Sequence, residues 1–473
     1  MLKHLLQHSM IHAAGRVIGL GISVVSMGLL ARYLGQEQFG WYIIAFTWLQ
    51  FFSIAVDFGL YMIGLKLLGE AGTKAREQKV FSQLFWLRLF SAIIFVLIAP
   101  NIVWLMPYSI GIKLGVTVLA FSFFFANINQ LLVVSFQKTV RMQTVAIAEV
   151  FGKITALISL YIVILFDFGF AAALASIAFF GLLQSVVLFL KLTPEHYISW
   201  HWDSALVKKI LIQTAPLGII IILNTLYFKA DTLILSWFVP AGEVGLYGAP
   251  YKILEILVSF PAMYLGLLLP HVAQWYKKRQ YKTLRAYAEQ SFRIMSLLIA
   301  VMIPLTIVFA DDIMVLVAGR DFAASGLWLR YLIIAAASIF YGQLFGYILV
   351  GIGRQKVQMV IYAAVAAIAL MLYSVFIPLA GVVAAAIITI VVEVTATVAL
   401  GIQAVKFLRW NIQVIPIIIL TLIAIGVGVF AWLMQPYGPW WVIFLLSCAV
   451  YLVLILLFRI VTIQQIQTLI KRA

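Results

Sequence analysis

Fourteen apolar stretches of about 20 residues each, separated by short polar turns, occupy nearly all of this 473-residue chain. A bilayer core about 30 Å thick is crossed by about 20 helical residues, and lipid satisfies none of the backbone groups that a helix leaves unpaired. The pattern therefore predicts an all-α polytopic membrane protein with about 14 transmembrane helices. The predicted spans are 12–33, 41–66, 84–106, 112–134, 143–166, 170–190, 210–237, 248–275, 290–310, 326–350, 357–378, 381–404, 412–433 and 440–458.

The composition argues against the soluble classes of function. Hydrophobic residues make up 65% of the chain and charged residues 10%, far from the averages of soluble domains. The sequence contains no recognisable Ser-His-Asp set, phosphate-binding loop, dinucleotide-binding loop or Cys-x-x-Cys pair. Its single cysteine, Cys448, excludes a disulfide framework. We therefore predict neither an enzyme nor a bound metal or cofactor.

Lysine and arginine are concentrated in alternate turns. With the N-terminus placed inside, 22 of the 32 lie in cytoplasmic segments, and 3 (Arg32, Lys113 and Arg320) lie in outer turns. Because cytoplasmic turns carry an excess of these residues, both termini are predicted to be cytoplasmic. The net charge of +16 then borders anionic lipid of the inner leaflet, so we expect membrane lipid rather than nucleic acid as its partner.

The longest turn within the first twelve spans divides them into two sets of six. The sequence therefore predicts two pseudo-symmetric six-helix lobes around a central cavity, followed by an appended helix pair. The predicted boundaries are 1–192 for the N-terminal lobe, 193–209 for a cytoplasmic linker, 210–404 for the C-terminal lobe and 405–473 for spans 13 and 14.

An internal echo supports this division. Gly40 and Tyr42 follow span 1, and Gly245 and Tyr247 follow span 7, so that each pair belongs to the corresponding outer turn of its half. Repeats of this kind build transporters whose substrate site lies between the two halves.

Four segments resemble the polysaccharide flippases, which belong to the multidrug/oligosaccharidyl-lipid/polysaccharide exporter superfamily. They are ARYLGQEQFGWY (31–42), DFGL (57–60), FQKTVRM (136–142) and ADTLILSWFVPAGEVGLYGAPYKI (230–253). The resemblance extends over spans 1–12. Fourteen spans differ from many O-antigen members and are similar to lipid II and teichuronic-type members.

The resemblance implies a function and its partners. The expected function is translocation of a polyprenyl-pyrophosphate-linked oligosaccharide, an O-antigen or other surface-polysaccharide repeat unit, by alternating access. The expected location is the cytoplasmic (inner) membrane of a bacterium, with transfer from its inner to its outer leaflet. The expected coupling ion is H⁺ or Na⁺, and the expected protein partners are a polysaccharide polymerase and chain-length machinery.

Bases outnumber acids within the spans. An ionisable group at bilayer depth needs a partner or a water-filled cavity, and an excess of bases suits a pyrophosphate, whose oxygens arginine binds bidentately. The predicted substrate-binding residues of a cationic cavity are Arg16, Arg88, Lys153, Lys229, Lys252 and Arg293.

Simpler interpretations of these bases stay open. Arg16, Arg88 and Arg293 lie about one turn from a cytoplasmic helix end, where long side chains also reach the headgroups. Lys153 is about ten residues into span 5, too deep for that, so it either lines a cavity or belongs to a structural ion pair.

Carboxylates within the spans are candidates for ion coupling or gating. They are Asp57, Asp231, Glu255 and Glu393. Each has a structural alternative. Asp57 is a potential salt-bridge partner of Arg16 or Arg88, and Glu255 of Lys252 three residues before it. Lys229 and Asp231 belong either to structural pairs or to a charge network under an outer gate, and Glu393 is otherwise a helix-packing carboxylate.

Other functions compete with the flippase. Within transporters the alternative is an ion-coupled drug or metabolite exporter of the same superfamily. A multi-span glycan polymerase or ligase is disfavoured because the outer turns are mostly shorter than about 15 residues. A lipid scramblase or an assembly factor also stays open.

Overall fold

The protein is helical throughout the part that the structure describes. A computed structural model describes residues 2–139, 141–200 and 202–458, without the side chains of 2–14, 16–17, 55, 195, 216–217, 220, 224 and 414. Within these ranges there is no β-strand, which confirms the all-α prediction. The helices are α1 (Leu2–Asp57), α2 (Leu60–Glu70), α3 (Lys74–Leu105), α4 (Ile110–Lys138), α5 (Met142–Leu165), α6 (Gly169–Leu190), α7 (Ser204–Phe238), α8 (Ala241–Lys277), α9 (Tyr281–Ala318), α10 (Ser325–Gly351), α11 (Gln355–Leu408), α12 (Val414–Met434) and α13 (Trp440–Leu457).

Two of these helices each contain two predicted spans. The first and second spans meet within α1 at Gly35, which has φ 65°, and spans 11 and 12 meet within α11 at Gly381, which has φ 53°. A positive φ of this kind is accessible to glycine without steric cost. The predicted turns at these places are therefore single glycine kinks rather than loops.

The second span is itself broken. Asp57 ends α1, Phe58 and Gly59 both have positive φ (39° and 82°), and α2 begins at Leu60. A break of this kind frees backbone carbonyl groups that need other donors, and such interruptions are tolerated in a membrane where neighbouring side chains satisfy those groups.

Eleven described helices are long and apolar enough to cross a membrane. Two of them, α1 and α11, contain a pair of predicted spans each, and α7 corresponds to the span predicted at 210–237 although it is not among the eleven. With these additions the helices account for the fourteen predicted crossings, and the protein is a multi-pass membrane protein.

The chain forms two compact units, residues 1–248 and 249–473. The division falls within α8 and not in the predicted linker, because α7 packs against α1, α2 and α3 within the first unit. The lobe boundaries themselves stay a prediction.

A core of α3 and α4 side chains holds the first unit together. Leu84 and Phe81 of α3 pack against Leu131 and Phe136 of α4, and all four are almost fully buried. The segment between α6 and α7 lies along α3. There the Trp86 indole donates to the Ser199 carbonyl at 2.9 Å, and the Lys79 ammonium pairs with the Asp203 carboxylate at 2.8 Å.

The predicted appended helices belong to the core of the second unit. Both α12 and α13 contact α9. The ring of Phe309 in α9 packs against Phe444 of α13 at 5.9 Å, and the Tyr451 hydroxyl donates to the Leu297 carbonyl at 2.6 Å. Spans 13 and 14 are therefore anchored on span 9.

Candidate functional site

The contact between α1 and α5 holds a cation at mid-span. The Lys153 ammonium lies 2.7 Å from the Glu149 carboxylate, one helical turn earlier in α5, and donates to the Gly19 carbonyl of α1 at 3.1 Å. The side chains keep 18% and 30% of their surface exposed. The predicted deep lysine thus has a carboxylate partner but is not sealed within the protein.

The same contact carries the turn of α1 that contains Arg16. A Cβ on Gly15 would come 2.9 Å from the Cβ of Ala146, so the helices touch at this level because glycine has no side chain. Arg16 follows Gly15, and Gly19 lies one turn later beside Lys153. The Arg16 side chain lies outside the described residues, but its backbone position is on the helix that meets Lys153.

Arg88 is completely buried in the first unit. Its side chain is 0% exposed and lies 2.7 Å from the Asp57 carboxylate, which is 15% exposed. The guanidinium also donates to the Val56 carbonyl at 3.0 Å, to the Asn127 carbonyl at 3.0 Å and to the Gln130 side chain. Val56 lies just before the break in span 2, so Arg88 binds a carbonyl near the helix end that the break creates.

This arrangement excludes one of the alternatives for Arg88. A side chain with no exposed surface does not reach the headgroups, so the snorkelling interpretation is wrong for it. Asp57 pairs with Arg88, one of its two predicted partners, and holds the interrupted span against α3 and α4. These contacts favour a structural role, and the substrate-binding role of Arg88 and the coupling role of Asp57 stay predictions.

The repeated glycines of the two halves meet in the first unit. A methyl group on Gly40 would overlap the Ala241 carbonyl, and one on Gly245 would overlap the Gln36 carbonyl and come 2.9 Å from the Gly40 nitrogen. The backbones of α1 and α8 are therefore in direct contact. The internal echo marks the two sides of one junction, which we call the glycine junction.

Asp231 lies beside this junction. Its carboxylate accepts a hydrogen bond from the Tyr247 hydroxyl at 2.8 Å and from the Thr232 amide at 2.6 Å, and it is 1% exposed. Tyr247 is the tyrosine of the repeated Gly-x-Tyr pattern. Lys229, two residues before Asp231, is also buried, with its ammonium 5.3 Å from the centre of the Phe228 ring.

In the second unit, one predicted ion pair is present. The Lys252 ammonium lies 3.0 Å from the Glu255 carboxylate three residues later, as the alternative interpretation of that spacing expects. Glu393 of α11 is 4% exposed and within electrostatic reach of Tyr362. Arg293 lines a cleft between α9 and the start of α12.

Sequence reasoning missed three partners. Glu149 stands four residues before Lys153, a spacing that predicts a helical ion pair and would have identified it. Asp311 accepts two hydrogen bonds of 2.9 and 2.8 Å from the Arg330 guanidinium on the next helix, a pairing that no short helical spacing predicts. Gln130 gives no sequence signal, because its contact with Arg88 depends on how α3 packs against α4.

No group of three or more potential metal ligands occurs among the described residues. The charged groups described above for the first unit, at Lys153, Arg88 and Asp231, form ion pairs and hydrogen-bonded networks. These differ mainly in how much of each side chain remains accessible.

Comparison with known proteins gives two family matches. The family model described as "Polysaccharide biosynthesis protein" matches residues 5–276, more than half of the chain, and the MatE model matches residues 216–376. No curated protein matches the chain.

Solved structures share the fold at low sequence identity. A lipid II flippase, MurJ, in an inward closed conformation has a TM-score of 0.77 at 13% identity, covering 96% of this chain and 98% of its own. An inward-facing multidrug resistance MATE transporter of the MOP superfamily has a TM-score of 0.69 at 13% identity, and the match covers 82% of this chain and 94% of the transporter. A MATE transporter from Vibrio cholerae has a TM-score of 0.60 at 15% identity, and the match covers 86% of this chain and 97% of the transporter. These likenesses confirm the predicted fold class, and the relatives are a flippase and transporters, not enzymes.

Proposed function

Because the chain belongs to the polysaccharide biosynthesis protein family, we propose that it is a flippase for a polyprenyl-pyrophosphate-linked oligosaccharide, an O-antigen or other surface-polysaccharide repeat unit. The fold shared with a lipid II flippase supports a lipid-linked substrate. The observation that carries the proposal is the partly exposed Lys153–Glu149 pair on the helix that faces the Arg16 turn.

The chemistry of this pair suits an anionic headgroup. A pyrophosphate competes with the Glu149 carboxylate for the Lys153 ammonium, and it brings more negative charge and more acceptor oxygens than one carboxylate does. Arg16, on the adjoining helix, supplies a planar guanidinium that binds phosphate oxygens bidentately. In the absence of substrate Glu149 keeps the lysine neutralised, so the site bears no lone charge at bilayer depth.

The glycine junction provides a gate in this proposal. Two backbones in direct contact leave no space for a headgroup, so a sugar passes only when α1 separates from the N-terminal end of α8. Asp231 and Tyr247 are hydrogen-bonded to each other beside the junction. In this proposal their hydrogen bond breaks when the junction opens and forms again when it closes. Asp231 is therefore the proposed gating carboxylate.

The remaining candidates take secondary roles. Lys229, Lys252 and Arg293 are proposed to add to the net positive charge that attracts the anionic lipid, with Glu255 neutralising Lys252 between transport events. Glu393, buried in α11, is the proposed site of H⁺ or Na⁺ coupling. The proposed setting is a bacterial inner membrane with both termini in the cytoplasm, beside a polysaccharide polymerase and chain-length machinery.

Reconstitution tests the proposal directly. Liposomes contain the protein and a lipid-linked oligosaccharide, and a glycan-binding probe added outside measures the headgroups that reach the outer leaflet. Wild type is expected to expose the glycan, whereas Lys153→Ala combined with Arg16→Ala is not. The control is Lys208→Ala with Lys209→Ala, which removes the same number of positive charges from exposed positions of α7 and is expected to flip normally.

Two results decide against this function. Equal exposure by the double variant and wild type eliminates the cationic site. Export of cationic dyes that persists in the double variant and is lost in Glu393→Gln favours the drug exporter, the function suggested by the MatE match over residues 216–376.

A further inference from the structure

The second unit contains a cleft lined by none of the residues of the proposed Lys153–Arg16 headgroup site. It is bounded by α9, by the start of α12 and by the connection before α12. Its lining residues are Glu289, Phe292, Arg293, Ser296, Trp410, Ile412, Gln413, Pro416, Ile417 and Leu420. By the distribution of basic turns, this end of α9 is the cytoplasmic end.

Two opposite charges line the cleft without neutralising each other. Glu289 and Arg293 are one helical turn apart on α9, a spacing at which ion pairs commonly form. Neither side chain forms a salt bridge or a hydrogen bond with another residue in the described part of the chain. Elsewhere in the protein the same kind of spacing does form pairs, at Lys153–Glu149 and Lys252–Glu255.

Trp410, which also lines the cleft, carries a buried side-chain N–H. The Trp410 side chain is 4% exposed, and its indole nitrogen has no hydrogen-bond acceptor among residues 2–458 as described. A buried N–H without a partner costs about 1–3 kcal/mol, so native structures normally supply an acceptor. No described residue supplies that acceptor for Trp410.

We propose that this cleft binds the headgroup of an aminophospholipid of the phosphatidylethanolamine class. The phosphate accepts from the Arg293 guanidinium and, once the buried Trp410 ring turns toward the cleft, from its indole N–H. The primary ammonium donates to the Glu289 carboxylate. Ile417, one turn into α12, is partly exposed and continues the cleft with apolar surface suited to an acyl chain. The unpaired charges and the orphan N–H are thus all satisfied by one zwitterionic ligand.

Charge complementarity selects this class among membrane lipids. An anionic phospholipid without an amine satisfies Arg293 and leaves Glu289 facing a phosphate. A choline headgroup carries positive charge but no N–H donor for the carboxylate. The transported pyrophosphate lipid has the same mismatch with Glu289 as other anions do.

The test measures lipid retention by the intact protein. The full chain is purified in detergent and titrated with phosphatidylethanolamine, phosphatidylcholine and phosphatidylglycerol of identical acyl chains, and bound lipid is counted by native mass spectrometry. Wild type is expected to prefer phosphatidylethanolamine about tenfold, the ratio that one charge-assisted hydrogen bond supports.

Three variants separate the three contacts. Arg293→Gln is expected to weaken all three lipids about tenfold. Glu289→Gln should remove most of the preference for phosphatidylethanolamine over phosphatidylcholine, because only the primary ammonium donates a hydrogen bond to the carboxylate. Trp410→Phe keeps the ring and loses the N–H, for an expected loss of about threefold. Lys282→Gln, which removes an exposed cation from α9 outside the cleft, is the matched control.

Each outcome bears on the proposal. Retention of the preference in Glu289→Gln, or equal binding of the three lipids by wild type, overturns it. Displacement of phosphatidylethanolamine by polyprenyl pyrophosphate at equal concentration, with the loss dependent on Arg293, would instead assign the cleft to the transported lipid. Because no glycan is moved in this assay, failure here leaves the flippase proposal to its own test.

Discussion

Arg88 and Lys153 look alike in the sequence and differ in the structure. Each is a base inside a span of the first unit, and each lies 2.7 Å from a carboxylate. Arg88 is 0% exposed and also donates to two carbonyl groups and a glutamine, whereas Lys153 is 18% exposed and has one further acceptor.

The difference teaches how an intramembrane charge is used. A cation whose donors are nearly all bound to protein acceptors fixes the packing of its neighbours, and no ligand displaces it without breaking the fold. A cation held by one flexible partner on its own helix can exchange that partner for a ligand. We therefore infer that Arg88 stabilises the first unit and that Lys153 is available to bind a ligand.

The largest expected effect comes from removing Arg88. Arg88→Met leaves the Asp57 carboxylate and two backbone carbonyls without their donor, and breaking a buried pair in this way costs about 3–5 kcal/mol. Thermal unfolding in detergent, followed by helical circular dichroism, is expected to show a large loss of stability. A stability equal to that of Lys153→Met would erase the contrast between the two sites.

Removing both charges of the buried network is expected to do less harm. Arg88→Met with Asp57→Leu leaves no uncompensated charge, so about half of the lost stability should return. Recovery stays incomplete because the Val56 and Asn127 carbonyls still lack the donor that Arg88 provides. The same unfolding measurement, arranged as a double-mutant cycle, gives the coupling between the two residues. Additive losses would mean that the pair is not the stabilising element.

Lys153→Ala should separate stability from activity. An ion pair within one helix and partly exposed contributes about 1 kcal/mol or less, so the unfolding transition should hardly move. Transport in the liposome assay should nevertheless fall sharply. Lys153→Arg keeps the charge and should retain transport, and a matching loss of stability and transport in Lys153→Ala would reduce this site to a structural pair.

The smallest expected effect on stability comes from the ion pair between Lys79 and Asp203, whose side chains are 46% and 27% exposed. The Lys79 ammonium and the Leu206 amide hold the pKa of Asp203 below its usual range. Its contribution to stability is thus present above the unfolded-chain pKa of about 3.9 and disappears as the pH falls through the lower folded value. The melting temperatures of wild type and Asp203→Asn should differ slightly at pH 7 and converge at acidic pH. A difference that does not change with pH would exclude this cause.

Much of the fold follows from local sequence patterns. The length of each apolar stretch predicts a crossing, because the free energy of placing a residue in lipid depends mainly on its own side chain and not on the helices around it. Gly35 and Gly381 stand where paired spans meet, and the repeated Gly40 and Gly245 mark matching turns. Their direct contact was not predictable, because an echo shows equivalence and not proximity.

The charged sites were predictable as a set and not as pairs. Hydropathy identifies Asp57, Arg88 and Lys153 as costly residues that need compensation. Which group compensates which residue depends on helix packing. Asn127 and Gln130 contribute to the Arg88 network through a carbonyl and an amide that carry no distinctive sequence signal. Glu149 was the exception, since its partner lies on the same helix.

The sequence by itself determined that this chain is a helical membrane protein with about fourteen crossings. The free energy of placing a segment in lipid depends on the residues of that segment and not on which other helices it contacts. Tertiary structure alone decided that Arg88 is sealed, that Lys153 keeps an exchangeable partner and that Arg293 and Glu289 remain apart in a cleft. Those outcomes depend on distances between helices, and distance is what a linear pattern of residues does not contain.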